Sequence, residues 1–167
     1  MAIWTERNYI GVNVGKLDQS CEVYCRENAL LFLDTRDDSN EIIPMNPKMP
    51  EFEIMIIFSG LERKLAGSAY NTRVDECKSA AYAMEAFAGM DYGKYEDTYL
   101  RDVPVGIYEE YKERLPENWK KRAYHFYSEN KRVRDGVKFW REGNIEKFGQ
   151  LIFESGRSFL RRSNYIK

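Results

Sequence analysis

One histidine and three cysteines are all the imidazole and thiol this 167-residue chain contains, and that shortage removes several chemistries at once. Structural zinc sites normally gather four Cys or His ligands. Cys21 and Cys25, four residues apart, have only His125 to add to them, and no metal site is expected. An odd number of cysteines without a repeating spacing is not a disulfide framework, so the thiols are expected to be reduced. No apolar run approaches the roughly 20 residues that cross a bilayer. The opening Met1-Ala2-Ile3-Trp4-Thr5-Glu6-Arg7 has neither the basic start nor the apolar stretch of a secretory signal. Charge of one sign is missing as well: 26 Lys and Arg against 27 Asp and Glu leave a formal net charge of −1. The two signs are mixed along the chain, which gives no electrostatic basis for a nucleic-acid or anionic-membrane partner. The expected address is the cytoplasm.

A hydrophobic content of 43% is enough to bury one core at this length, so residues 1–167 are expected to form a single unit. Gly11, Asn13 and Gly15 frame a short apolar stretch and then stop it. Asp18 or Ser20 is placed to cap a following short helix containing Val23 and Tyr24, because a side-chain oxygen there satisfies orphan backbone N–H groups. Three strands are expected, Ala29 to Leu33, Glu41 to Met45 and Glu53 to Phe58, separated by turn-rich stretches such as Asp37-Asp38-Ser39-Asn40. The third reads Ile54-Met55-Ile56-Ile57 at its centre. Apolar on both faces, it should be a central strand buried on two sides.

From Asn71 the period changes to that of a helix, with Val74, Cys77, Ala81, Met84 and Ala88 on one stripe and Gly89 as the stop. Residues 91–102 read as a connection with a short helix near Tyr99, and a second helix runs from Val105 to Arg114. The longest helix follows Pro116, where Trp119, Ala123, Phe126, Asn130, Val133, Val137 and Trp140 recur at steps of four and three as a packing stripe. Gly143 ends it. Asn144 then caps a helix that should bury Phe148, Leu151, Ile152, Ser155 and Phe159. The fold class is α+β, a short antiparallel sheet followed by a helical C-terminal half. His125, the only histidine, is expected to be a surface or satisfied helix residue rather than a general base.

Chemistry enters with Gly11-Val12-Asn13-Val14-Gly15-Lys16-Leu17-Asp18-Gln19, which resembles the G-V-N-x-G-x-x-D-Q signature of the galactokinase family. Further segments follow in the family's order: Ala29 to Arg36, Tyr70 to Cys77, Arg122-Ala123-Tyr124-His125, Glu129 to Val133, and Phe148 to Leu151 with Glu154 to Ser158. The resemblance implies a partial GHMP-kinase fold and ATP-dependent phosphorylation of a galactose-like sugar at its anomeric hydroxyl. It makes Asp18 the catalytic residue and places sugar contacts at Gly15, Asp18 and Tyr70. A carboxylate beside the attacking hydroxyl accepts its proton as the O–P bond forms. Taken alone, Asp18 is equally a helix cap; inside the full signature the catalytic role is favoured.

Two departures from the family pattern matter. Phe58-Ser59-Gly60-Leu61 followed by Glu62-Arg63-Lys64 is more similar to galacturonokinases, and Arg63 or Lys64 would pair with a uronate carboxylate unless the cluster is simply a solvated helix entry. Galactose and galacturonate both remain as substrates. ATP and Mg2+ are implied by the family, yet the Gly/Ser-rich loop at a helix N-terminus that gathers phosphate oxygens is not found in the sequence. The chain is therefore expected to be an internal to C-terminal piece without the nucleotide-binding segment. It would work with a missing kinase lobe in trans or through self-association, its small-molecule ligand being the sugar. The alternative is a non-catalytic galactokinase-like remnant or sugar-sensing module.

Overall fold

A computed structural model describes residues 2–11, 14–58, 60, 70–91 and 93–162 of the chain. The chain groups into two compact units: residues 1–68 with 133–154, and residues 69–132 with 155–167.

The first unit opens with a single helical turn, α1 (Ala2–Thr5), that widens into a π-turn over Glu6–Ile10. Helix α2 (Leu17–Tyr24) leads to the antiparallel pair β1 (Ala29–Leu33) and β2 (Asn40–Pro44). Leu30 faces Ile43 and Phe32 faces Glu41 across the pair. The hairpin turn is closed by its own side chains. The amide of Arg36 donates to Asp34 Oδ1, and that of Ser39 to Asp37 Oδ1, while Asp38 takes a positive φ of 60°. Short carboxylates favour turns for this reason, since they mimic a backbone acceptor and tolerate the left-handed region. Ile43, Met49 and Trp140 form the buried core of this unit, with Leu30, Phe32, Val137, Ile145 and Phe148 packed around them. The Trp140 indole N–H donates to the carbonyls of Ile43 and Pro44, both at 3.2 Å.

The third expected strand is the main correction. Phe52 still packs edge-on against Trp140, with ring centroids 6.1 Å apart. From Ile54 to Phe58 the side chains are 80–92% exposed, and β1 and β2 pair only with each other. A strand needs a neighbour to take its N–H and C=O groups, and among the described residues no neighbour is offered. The expected capping by Asp18 or Ser20 is corrected too. The Ser20 amide already donates to the Lys16 carbonyl, so the helix starts at Leu17 and Asp18 lies inside its first turn.

In the second unit, α3 (Tyr70–Phe87) carries the expected stripe and ends before Gly89, whose φ is 64°. A short 3-10 turn follows at Tyr95–Asp97, earlier than the Tyr99 expected, and α4 (Val105–Tyr111) comes next. The long helix α5 (Glu117–Arg141) starts just after Pro116, and α6 (Ile145–Arg162) follows Gly143. The core of this unit comprises Ala80, Ala81, Met84, Leu100, Val103, Tyr108, Leu115 and Ala123. Tyr127 stacks on Tyr108 and donates its hydroxyl to the carbonyls of Leu100 and Val103. On α6, Ile152 and Phe159 are exposed rather than buried as expected. The stripe steps by three from Ser155 to Ser158, where the hydroxyl meets His125, and the Arg73 guanidinium lies over the Phe159 ring.

Candidate active site

Asp18 sits on a short stretch of chain that its neighbours hold from two sides. Gly11 adopts φ 77° and gives its N–H to the Glu6 carbonyl, closing the wide turn; a side chain at that angle is disfavoured, which is the use of glycine there. Arg7 then reaches forward, donating through Nε at 3.0 Å and Nη2 at 2.6 Å to the Val14 carbonyl. Gln19 Nε2 donates back to Glu6 Oε1 at 2.8 Å. On the other side the Lys16 ammonium pairs with Asp38 in the hairpin turn. Residues 14–19 are thus braced by the N-terminal helical turns and by the hairpin.

The Asp18 side chain is exposed on this platform. Its position in the first turn of α2 puts it near the positive end of the helix dipole, where a negative charge is favourable. It borders Cys21 one turn on. Burial, then the hydrogen bond with Cys25 and the charges of Cys25 and Asp18, push the Cys21 thiol up, so this thiol is a poor nucleophile. Gly15 is exposed, and a methyl group added there would meet no atom within 4 Å. Gly15 and Asp18 belong to the same unit. Tyr70, half-buried at the start of α3, belongs to the other. Val12 and Asn13 of the signature, and Arg63 and Lys64, lie outside the described residues.

The remaining motif segments serve mainly to join helices. Arg122 Nε meets Glu76 Oε2 at 2.6 Å, linking α5 to α3 with both side chains largely buried. His125 Nδ1 lies 3.2 Å from Ser158 Oγ and 3.8 Å from Glu129 Oε1. Ser155 Oγ donates to Glu129 Oε2 at 2.7 Å. Serine and glutamate approach the same imidazole nitrogen, an arrangement that anchors α6 on α5 rather than relaying a proton. His125 is a satisfied helix residue, as expected. The bracing of Asp18 by Arg7, Glu6 and Lys16 was not anticipated. One signal for it was present in the sequence, the charged Glu6 and Arg7 just ahead of the signature and Lys16 within it. Among the described residues no group of three or more His, Cys, Asp or Glu side chains is placed to hold a metal ion.

No protein-family model matches the chain. It is 36% identical over 156 residues to a galacturonokinase from Arabidopsis thaliana, covering 93% of this chain and 36% of that protein. It is 33% identical over 159 residues to a galactokinase from a Roseiflexus strain, covering 95% and 38% respectively. A crystal structure of Lactococcus lactis galactokinase complexed with galactose superposes with a TM-score of 0.77 at 29% identity, over 93% of this chain and 38% of that one. The chain spans a little over a third of the length of the curated relatives it matches.

Proposed function

Because the chain is related to the galactokinase family over nearly its whole length, we propose that it forms the sugar-acceptor side of a sugar 1-kinase acting on galactose or galacturonate. The observation that carries this is the braced, solvent-facing Asp18 in a chain of this ancestry. Phosphoryl transfer depends mainly on positioning and charge stabilisation. Asp18 takes the proton of the anomeric hydroxyl as the oxygen attacks phosphorus, which keeps the nucleophile from carrying a positive charge at the transition state. Gly15, lacking a side chain, lets the sugar approach the backbone beside Asp18. For Tyr70 the family resemblance alone implies a sugar contact, through a ring suited to the apolar side of a sugar and a hydroxyl suited to its polar edge.

The nucleotide is another matter. The kinase relatives imply ATP. The residues described here include no metal-holding cluster, and the sequence has no Gly/Ser-rich phosphate loop. The proposed roles of the described residues are therefore binding the sugar and moving its proton. That same observation supports a second reading, a sugar-sensing module without turnover.

Sugar binding tests the proposal without requiring ATP. Titration with galactose and with galacturonate, followed by protein NMR, should show saturable shifts at Gly15 and around Asp18, and the tighter sugar identifies the subfamily. Gly15→Ala should weaken binding while leaving the melting temperature unchanged, since the added methyl meets only space in the free protein. Absence of binding by either sugar would remove the assignment.

A further inference from the structure

Two thiols share one face of α2 with Asp18. Cys21 follows Asp18 by three residues and Cys25 follows Cys21 by four, spacings that stack side chains along one side of a helix. The Cys25 amide donates to the Cys21 carbonyl at 3.1 Å, and the two thiols are hydrogen-bonded to each other. Cys25 is exposed at the C-terminal end of the helix, and Cys21 is half-buried. The third thiol, Cys77, belongs to the other unit, where burial pushes it up to about 11. A thiol of that kind stays protonated near neutral pH and reacts slowly.

An exposed thiol with a second thiol in contact is the arrangement in which oxidation ends as a disulfide rather than at a higher acid. Geometry adds a condition. Side chains four apart on an intact helix hold their Cβ atoms about 5–6 Å apart, whereas a disulfide needs about 3.5–4.5 Å. The bond therefore closes only if the last turn of α2 rearranges. Little opposes that change. Helix α2 has eight residues, none of them buried, and so short a helix is marginal by itself. Its C-terminal end is tied by the Cys25 amide and by the Arg26 guanidinium, which donates to the carbonyls of Val23, Tyr24 and Cys25. The guanidinium bonds are exposed, so water replaces them at small net cost.

We propose that Cys21 and Cys25 form a modification site at which a hydroperoxide joins them in a disulfide, rebuilding the end of α2 and displacing Asp18 in its first turn. The Cys25 thiolate attacks a peroxide oxygen; the O–O bond breaks, water or an alcohol leaves, and Cys25 becomes a sulfenic acid. The Cys21 sulfur then attacks the Cys25 sulfur, the S–O bond breaks, and the hydroxyl leaves as water with the Cys21 proton. The two thiols together lose two electrons, and the peroxide gains them. A thiol reductant reverses the step by exchange. Loss of sugar affinity in the oxidised chain rests on the proposed function; the disulfide and the movement of Asp18 do not.

The test treats the reduced chain with hydrogen peroxide and follows it by intact mass, thiol alkylation and amide NMR, with no sugar present. The expected product is a single chain two hydrogens lighter, in which only Cys77 of the three free thiols is still alkylated. The amides of residues 17–25 should shift, that of Asp18 among them, and dithiothreitol should restore the original spectrum. Cys25→Ser should prevent the product, and Cys21→Ser should stop it at a sulfenic acid on Cys25 that dimedone traps; neither position is buried, so folding is spared. Retention of all three thiols, oxidation of Cys77 first, a disulfide between two chains, or a Cys21–Cys25 disulfide that leaves the Asp18 amide unmoved overturns the inference. Sugar titration of the oxidised chain is read separately. Affinity about tenfold below that of the reduced chain is expected, and unchanged affinity overturns the link to the sugar site. A reduced chain that binds neither sugar removes the proposed function and leaves the disulfide result standing.

Discussion

Trp140 shows how much one side chain can hold. It is buried, its indole N–H is shared between two carbonyls at the end of β2, and its ring meets both Phe52 and Phe148. Trp140→Ala is expected to cost about 3–5 kcal/mol, read as a fall in the urea midpoint, and to release Phe52 with it. Cys77 gives a pH-dependent counterpart in the other unit. Burial pushes its thiol from 9.0 up to about 11, with Arg122 pulling it down and Glu76 adding to the rise. The folded state therefore holds its proton more tightly than the unfolded one, and stability present below pH 9 is lost as pH climbs toward about 11. Cys77→Ala should flatten that slope in alkaline denaturation, and alkylation near pH 8 should label exposed Cys25 well before Cys77. These residue roles were only partly legible in the sequence. Trp140 and Cys77 lie on readable stripes, whereas the bracing of Asp18 depends on contacts such as Lys16 with Asp38, 22 residues apart, which no local pattern pairs.

Among the elements, the junction between α5 and α6 is the most sharply specified. Gly143 has φ 72°, and a methyl there would come within 3.2 Å of the Asn46 side chain; Asn144 Oδ1 accepts the Lys147 amide and caps α6. Asn144→Ala should cost about 1 kcal/mol. Gly143→Ala should cost about 1–2 kcal/mol from the left-handed backbone alone, plus the displacement of Asn46, both measurable by thermal melts. This junction was readable because its glycine and asparagine act within four residues. Strands β1 and β2 were readable for a similar reason, their hairpin being closed by local Asp side chains. Residues 54–58 were not, because burial on two faces is a property of the whole sheet and the sequence pattern carries no information on whether the neighbouring strands are present. The α5 stripe misled in a subtler way. It looks continuous from Trp119 to Trp140, but Val133 is exposed; the residues before it pack into the core around Met84 and those after it into the core around Ile43.

At the level of the whole chain, that break separates two core clusters, one around Met84 and one around Ile43. Family relationship was the most legible feature, since several short motifs in fixed order survive where any one of them is weak. Substrate choice was the least, as Arg63 and Lys64 fall outside the described residues. Among the described residues no helix is long and apolar enough to cross a membrane. The central claim is that Asp18 takes the proton from a sugar hydroxyl during phosphoryl transfer. The decisive measurement is ATP-dependent phosphorylation of galactose and galacturonate by this chain grafted in place of the matched stretch of Lactococcus lactis galactokinase, comparing wild type with Asp18→Asn. Turnover with one of the sugars, falling by about 10²–10⁴-fold in the variant as removal of a positioned base does, is the predicted result. Turnover that is undiminished in Asp18→Asn, or a folded chimera that phosphorylates neither sugar, would contradict it.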